Sequence, residues 1–134
     1  LYLLSALGAE VRLVSPATLV SPYFAQMGVP IYTDMERGIT GCEIIMMLRL
    51  QTERMEGREA PSQHEYFHLF GLDTHKLQKA APEALIMHPG PINRGVEIDS
   101  KIADDNNKSL IRTQVELGVA TRMACLEAVA GEQL

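Results

Sequence analysis

Two polar side chains follow an apolar segment at a spacing that suits binding of a small anion. Arg49 comes directly after the apolar residues 44–48, and Gln51 lies two positions further on. An arginine can bind a carboxylate or a phosphate through two parallel hydrogen bonds, and a glutamine amide both donates and accepts. Side chains two residues apart in an extended chain point to the same side. The spacing therefore predicts an anion site, and the alternative is a structural ion pair of Arg49 with Glu53 or Glu43.

A second candidate is the His-Pro-Gly-Pro sequence at residues 88–91, which directly follows the apolar residues 84–87. Pro89 and Pro91 have no N–H group, so nearby carbonyls are less committed to secondary structure, and Gly90 lets a ligand approach the backbone closely. Such carbonyls can accept hydrogen bonds from an amino or amide group. The alternative is a rigid turn after a strand, with or without a cis proline, and the residues alone favour it.

Short apolar segments alternate with helical patterns along the chain. Strands are predicted at residues 11–14, 31–32, 44–48 and 84–87, and helices at 1–7, at 23–27, after Asp34, after Ser62, after Asp73 and from Ile111 to Ala130. This alternation predicts an α/β fold, a three-layer sandwich with a mostly parallel sheet. The uninterrupted run 44–48 predicts a central strand covered on both faces. Ligands of such sheets bind outside the carboxyl ends of the strands, where both candidate motifs lie.

Composition limits the classes of function. The chain has 134 residues, enough for one domain, and a net charge of −5 with a pI near 5.3, which argues against nucleic acid or an anionic membrane as the main partner. No apolar run approaches the roughly 20 residues that a membrane helix needs. Cys42 and Cys125 are predicted to be buried thiols in a reducing compartment. His64, His68 and His75 lack metal-site spacing and are predicted to lie on a solvated helix face.

The last predicted helix has an apolar face too broad to remain uncovered. Its apolar side chains recur at helical spacing: Ile111, Val115, Val119, Met123, Leu126 and Ala130. At the other end, the chain begins with Leu1 in the middle of a helical pattern and has no features of a signal peptide. Both ends together predict a fragment of a larger protein.

Several segments closely resemble the catalytic chain of the aspartate carbamoyltransferase family. The two most specific segments are residues 46–54 and 88–98, and residues 62–67, 114–118 and 122–124 are also similar to its bacterial members. The resemblance covers essentially all of this chain but only about the second half of the family chain. It implies the second domain of the carbamoyltransferase fold.

The resemblance also implies an activity. The family transfers a carbamoyl group from carbamoyl phosphate to the amine of L-aspartate, an early step of de novo pyrimidine biosynthesis, without a metal or a cofactor. Catalysis of this kind is mostly positioning and charge stabilisation, and no catalytic residue is assigned in this half. The implied protein is cytoplasmic and homotrimeric when complete, with no nucleic-acid or membrane partner. A regulatory or dihydroorotase-like subunit is a further partner that the resemblance allows.

Binding roles follow from the matching motifs. By resemblance, Arg49 binds a carboxylate of aspartate and Gln51 assists it. Pro89 and Gly90 offer carbonyls to the amino group of carbamoyl phosphate, and Pro91 completes the turn. The resemblance thus implies that one edge of the sheet holds both reactants.

The resemblance divides the chain into two parts. Residues 1–108 are expected to form the aspartate-binding α/β domain with a truncated start, and residues 109–134 a helix that packs on an absent carbamoyl phosphate domain. Arg54 matches an arginine of the domain-closure network, and residues 56–65 match a mobile loop that closes over aspartate. Because the family's Ser-Thr-Arg-Thr and His-Pro-x-Gln motifs are absent, we expect the isolated chain to be inactive.

Two alternatives remain open. An ornithine carbamoyltransferase relative typically has a cysteine in the loop matching residues 88–91 and an acidic motif for the ornithine amine. This chain has Gly90 in that loop and Arg49-Leu50-Gln51 after the preceding predicted strand, 44–48. The other alternative is a non-catalytic module that lacks the phosphate site and presents its crevice to another chain. Whether the protein catalyses carbamoyl transfer, and whether the acceptor is aspartate or ornithine, distinguishes the aspartate enzyme from these two alternatives.

Overall fold

A computed structural model describes residues 1–50 and 62–131. The strands are β1 (Leu13–Val14), β2 (Ile31–Tyr32), β3 (Ile44–Met46) and β4 (Leu85–Met87). The helices are α1 (Tyr2–Ala6), α2 (Tyr23–Gln26), α3 (Met35–Ile39), α4 (Gln63–Phe70), α5 (Thr74–Leu77), α6 (Ser100–Ala103) and α7 (Ile111–Ala130), with a 3₁₀ turn at Ala17–Leu19. The predicted strands and helices are confirmed with small shifts of their ends, whereas α6 and the 3₁₀ turn were not predicted.

The strands pair in parallel, as predicted, but in two separate pairs. β1 lies beside β2 with Leu13 opposite Ile31, and β3 lies beside β4 with Ile45 opposite Ile86. The described residues therefore form two two-stranded sheets instead of one continuous sheet. Parallel strands need a crossover between them, and the intervening helices supply it. The α/β class is confirmed.

One face of the β3 segment is open, which contradicts the prediction of a strand covered on both faces. Exposure alternates along it: Ile45 and Met47 are 5% and 8% exposed, whereas Ile44 and Leu48 are 57% and 60% exposed. Successive side chains of a strand point to opposite faces, so one face is packed and the other is open in the described part of the chain. An apolar run shows only that both faces tolerate apolar groups, and does not show that something covers them.

The core lies around β3 and β4. Its buried members are Met35, Ile39, Ile45, Met47, Leu72, Ile86, Ile98 and Ile102. Leu72 and Ile98 are fully buried and form a parallel bridge, which anchors the segment after residue 91 to the core. Burial of each such side chain contributes about 1.5–3 kcal/mol, so this cluster fixes the base on which the strand ends stand.

Three predicted helix starts are capped by the side chains expected. Asp34, Ser62 and Asp73 each accept a hydrogen bond from the backbone N–H three residues further on, at 3.0, 3.1 and 2.8 Å. Each cap contributes about 1 kcal/mol to helix stability. These caps explain why short helices of low intrinsic stability begin where they do.

Helix α7 is 20 residues long, as predicted, and buries none of its side chains among the described residues. Its exposed apolar side chains are Val115, Leu117, Val119, Met123, Leu126 and Val129. Cys125 on this helix is exposed as well, so the prediction of two buried thiols is wrong, and Cys42 is half-buried. Within residues 1–50 and 62–131, no helix combines the length and the apolar character needed to cross a membrane.

Candidate functional site

The carboxyl ends of β3 and β4 lie at one edge of their sheet. Met46 is opposite Met87, and the N–H of Met47 donates a 2.9 Å hydrogen bond to the Met87 carbonyl. The chain then leaves β3 toward Arg49, and leaves β4 into the turn at residues 88–91. The structure thus brings Arg49 and the 88–91 turn, both singled out in the sequence, to the same edge. Ligands of parallel sheets bind at such an edge.

Arg49 lies just beyond β3 with its side chain exposed. It lies between Leu48, which is exposed, and Leu50, which is buried. Gln51 and Arg54 lie outside the described residues, as do residues 56–61 of the predicted closing loop. Their binding and domain-closure roles therefore stay predictions.

The turn at residues 88–91 has exposed prolines around a central glycine. Gly90 adopts φ +69°, a left-handed conformation that favours glycine, and its peptide bond to Pro91 is cis. Among the described residues, none donates a hydrogen bond to the carbonyl oxygen of Pro89, Gly90 or Pro91. The turn therefore presents carbonyl acceptors, as the ligand-binding interpretation of the sequence requires.

A histidine and a glutamate that the sequence analysis did not assign to the site are buried beneath the turn. His88 and Glu97 are both 0% exposed, and the Nε2 atom of His88 lies 3.3 Å from Oε1 of Glu97, without the alignment of a hydrogen bond. The other ring nitrogen, Nδ1, accepts a 2.9 Å hydrogen bond from the N–H of Gly90. The only sequence signal was a glutamate between apolar Val96 and Ile98.

This environment keeps the imidazole neutral. Burial lowers the pKa of His88 below its ordinary value of 6.5 and outweighs the Glu97 carboxylate, which acts in the opposite direction. Neutrality is also required by geometry, because Nδ1 must keep a lone pair to accept from Gly90. Burial, and then the Glu97 carboxylate, raise the pKa of the Tyr66 phenol on α4.

Helix α7 also contacts the turn. The backbone N–H of His88 donates a 2.8 Å hydrogen bond to Oε1 of Gln114, one turn into the helix. A Cβ atom added at Gly90 would lie 3.0 Å from Cγ2 of Val115. The turn is thus held from beneath by His88 and from the side by α7.

Comparison with known families identifies the family of the chain. The family profile described as the Asp/Orn binding domain of aspartate/ornithine carbamoyltransferase matches residues 1–129. The chain belongs to this carbamoyltransferase family. The match covers both β3 with Arg49 and β4 with its turn.

Curated relatives of this carbamoyltransferase chain are named aspartate carbamoyltransferase catalytic subunit. The protein from Parvibaculum lavamentivorans is 58% identical over 130 residues, which are 97% of this chain and 40% of that subunit. The protein from Nitrobacter winogradskyi is 60% identical over 130 residues, 97% of this chain and 41% of that subunit. The chain therefore spans about two fifths of the length of these relatives.

Solved carbamoyltransferase structures share the fold. Ornithine carbamoyltransferase from Thermus thermophilus aligns with a TM-score of 0.73 at 19% identity, covering 93% of this chain and 41% of that one. Aspartate transcarbamoylase from Trypanosoma cruzi, in complex with carbamoyl phosphate, aligns with a TM-score of 0.67 at 24% identity, covering 87% of this chain and 39% of that one. At such identities the likeness establishes the fold, which is confirmed as that of the carbamoyltransferases.

Replacing Gly90 with alanine should disturb the turn more than the same change at Gly95. Both glycines have positive φ, +69° and +75°, so each Gly→Ala variant should lose about 1 kcal/mol of unfolding free energy from backbone strain. Only at Gly90 does the new Cβ also press on Val115, so we expect Gly90→Ala to lose more. Urea unfolding measures both variants, and equal losses would contradict the contact with α7.

The buried imidazole should make stability depend on pH. Because the pKa of His88 is lowered on folding, the unfolded chain binds more protons, and stability should fall as the pH decreases below the ordinary value of 6.5. In His88→Asn the side-chain oxygen can still accept from Gly90 but does not titrate. We expect the melting temperature of this variant to change less between about pH 7 and about pH 5 than that of the parent.

The control for the pH experiment is His64→Asn, which removes an exposed imidazole from α4. It should keep the pH dependence of the parent. A pH profile of His88→Asn identical to that of the parent would refute the role assigned to the imidazole.

Proposed function

We propose that this chain is the aspartate-binding half of an enzyme that transfers a carbamoyl group from carbamoyl phosphate to L-aspartate, in de novo pyrimidine biosynthesis. The observation that carries the proposal is the meeting of Arg49 and the 88–91 turn at one edge of the β3–β4 pair. A cation and a set of open carbonyls side by side suit a dicarboxylate and an amide-like group.

The choice of aspartate over ornithine rests on sequence. The fold does not separate the two substrates, because solved ornithine and aspartate enzymes both align with this chain. The curated relatives at 58% and 60% identity carry the aspartate name. The positive charge of Arg49 also suits the carboxylate of aspartate and would repel the second amine of ornithine.

The proposed chemistry uses each group for positioning. Arg49 binds a carboxylate of aspartate through paired hydrogen bonds, and Gln51 assists it. The carbonyls of Pro89 and Gly90 accept hydrogen bonds from the carbamoyl NH₂ group, and Pro91 closes the turn. The aspartate amine then attacks the carbamoyl carbon, so that a C–N bond forms, the C–O bond to phosphate breaks, and the amine loses a proton. Holding two reactants in this geometry supplies a large part of the rate.

The rest of the proposed enzyme is larger than this chain. We propose that residues 1–108 form the aspartate-binding domain and that residues 109–134 pack on a carbamoyl phosphate domain, with Arg54 in the closure network. The exposed apolar side chains of α7 support such a contact. Assembly as a homotrimer, a cytoplasmic location and a regulatory or dihydroorotase-like subunit are further parts of the proposal.

A chimera tests the function. Residues 1–134 replace the matching 40% of the Parvibaculum lavamentivorans subunit, whose remaining part supplies the other half of the chain. We expect the chimera to form N-carbamoyl-L-aspartate and phosphate, with no product from ornithine. The chain alone is the control and should show no turnover. A preference for ornithine, or turnover by the chain alone, would contradict the proposal.

Within the chimera, Arg49→Ala should raise the KM for aspartate by about 100-fold, because two charge-assisted hydrogen bonds are lost. The matched control is Arg37→Ala, which removes an exposed arginine from α3. Steady-state kinetics and melting curves are measured for both variants. An unchanged aspartate KM in Arg49→Ala would remove Arg49 from the binding site.

A further inference from the structure

A chain of contacts links the two ligand-binding segments of the site. The side-chain Nδ2 of Asn93 donates a 3.4 Å hydrogen bond to the carbonyl of Leu50, the residue directly after Arg49. The backbone N–H of Asn93 donates to Oε1 of Glu97. Asn93 therefore contacts the segment that follows β3 on one side and a buried carboxylate on the other.

The same carboxylate faces the turn. Oε1 of Glu97 lies 3.3 Å from Nε2 of His88, whose Nδ1 accepts the N–H of Gly90. Glu97 is itself anchored to the core, because its carbonyl accepts a 2.9 Å hydrogen bond from the N–H of Leu72. The buried side chain of Glu97 is thus linked through Asn93 to Leu50 and through His88 to Gly90.

We propose that Asn93 and Glu97 are positioning residues, which hold the Arg49 end of β3 at a fixed separation from the 88–91 turn. This inference rests on the proposed function, in which the first segment binds aspartate and the second binds carbamoyl phosphate. Glu97 is fully buried and Asn93 is half-buried, whereas Arg49 and Pro89 are exposed. The pair therefore acts on the reactants through other residues and not by contact.

Stability alone does not explain why His88 and Glu97 are buried together. His88 Nε2 and Glu97 Oε2 are buried without a hydrogen-bond partner in the described structure, and apolar residues of similar volume would often be as stable or more so. The carboxylate adds directional contacts. Its Oε1 accepts from the N–H of Asn93 and faces the imidazole of His88, which in turn accepts from the N–H of Gly90. Transfer between two bound molecules depends on such direction, since a shift of about 1 Å can cost about 100-fold in rate.

The experiment compares four variants of the active chimera, each with a single substitution. Asn93→Ala removes the contact with Leu50, and Glu97→Ala removes the acceptor beneath the turn. Glu97→Gln keeps an oxygen that can accept from Asn93. The control, Arg94→Ala, breaks an exposed ion pair with Asp104 in the same loop and leaves the buried contacts in place. For each variant we measure kcat, the KM for both substrates and the melting temperature.

We expect Asn93→Ala and Glu97→Ala to lower kcat by about tenfold or more at temperatures where circular dichroism shows a folded protein. Glu97→Gln should recover most of this loss, and Arg94→Ala should match the parent. A purely structural role predicts a different pattern, in which melting temperatures fall while kcat and both KM values of the folded protein stay at parental values. That pattern would overturn the inference.

Three further outcomes can be distinguished. If Glu97→Ala does not fold, Asn93→Ala decides, because it removes one hydrogen bond from a half-buried side chain. If the unsubstituted chimera shows no carbamoyl transfer, the proposed function fails and this inference fails with it. If the unsubstituted chimera is active and Asn93→Ala keeps the parental kcat, only the positioning role is refuted.

Discussion

Backbone hydrogen bonds between β3 and β4 hold the carboxyl ends of two distant segments at one edge of a parallel sheet. Residues 44–46 and 85–87 are about forty positions apart in sequence, yet Met46 lies opposite Met87. Because the pairing is parallel, both chains leave the sheet in the same direction. An antiparallel arrangement would send Arg49 and the 88–91 turn to opposite edges, so the parallel pairing is what places these two segments together.

The buried layer beneath this edge is unusual for its polarity. His88 and Glu97 lie among fully buried apolar residues such as Leu72, Ile86 and Ile98. A charged or polar pair in such a place is costly unless its atoms are directed toward partners. Here Nδ1 of His88 accepts from Gly90 in the turn and Oε1 of Glu97 accepts from Asn93 just after it, so these polar atoms fix a segment that lacks regular secondary structure.

Much of the fold follows from local signals in the sequence. Asp34, Ser62 and Asp73 cap the helices that they predict, and each apolar run forms a strand. The motifs also predicted a candidate site at Arg49 and the 88–91 turn, and the pairing of β3 with β4 brings these two segments to one edge of a sheet. Local signals could not show the pairing of His88 with Glu97, since two residues nine positions apart meet only through the turn between them. They also could not show that Ile44 and Leu48 face outward, because the type of an apolar side chain does not reveal what packs against it.

The contact between Gly90 and Val115 has a consequence for how this family can vary. A Cβ at position 90 would lie 3.0 Å from the Val115 side chain, so the size of one residue limits the size of the other. A larger residue in the turn requires a smaller one on α7 or a displaced helix. Positions 90 and 115 should therefore change together among relatives, and the identity of one restricts which substitutions evolution can accept at the other.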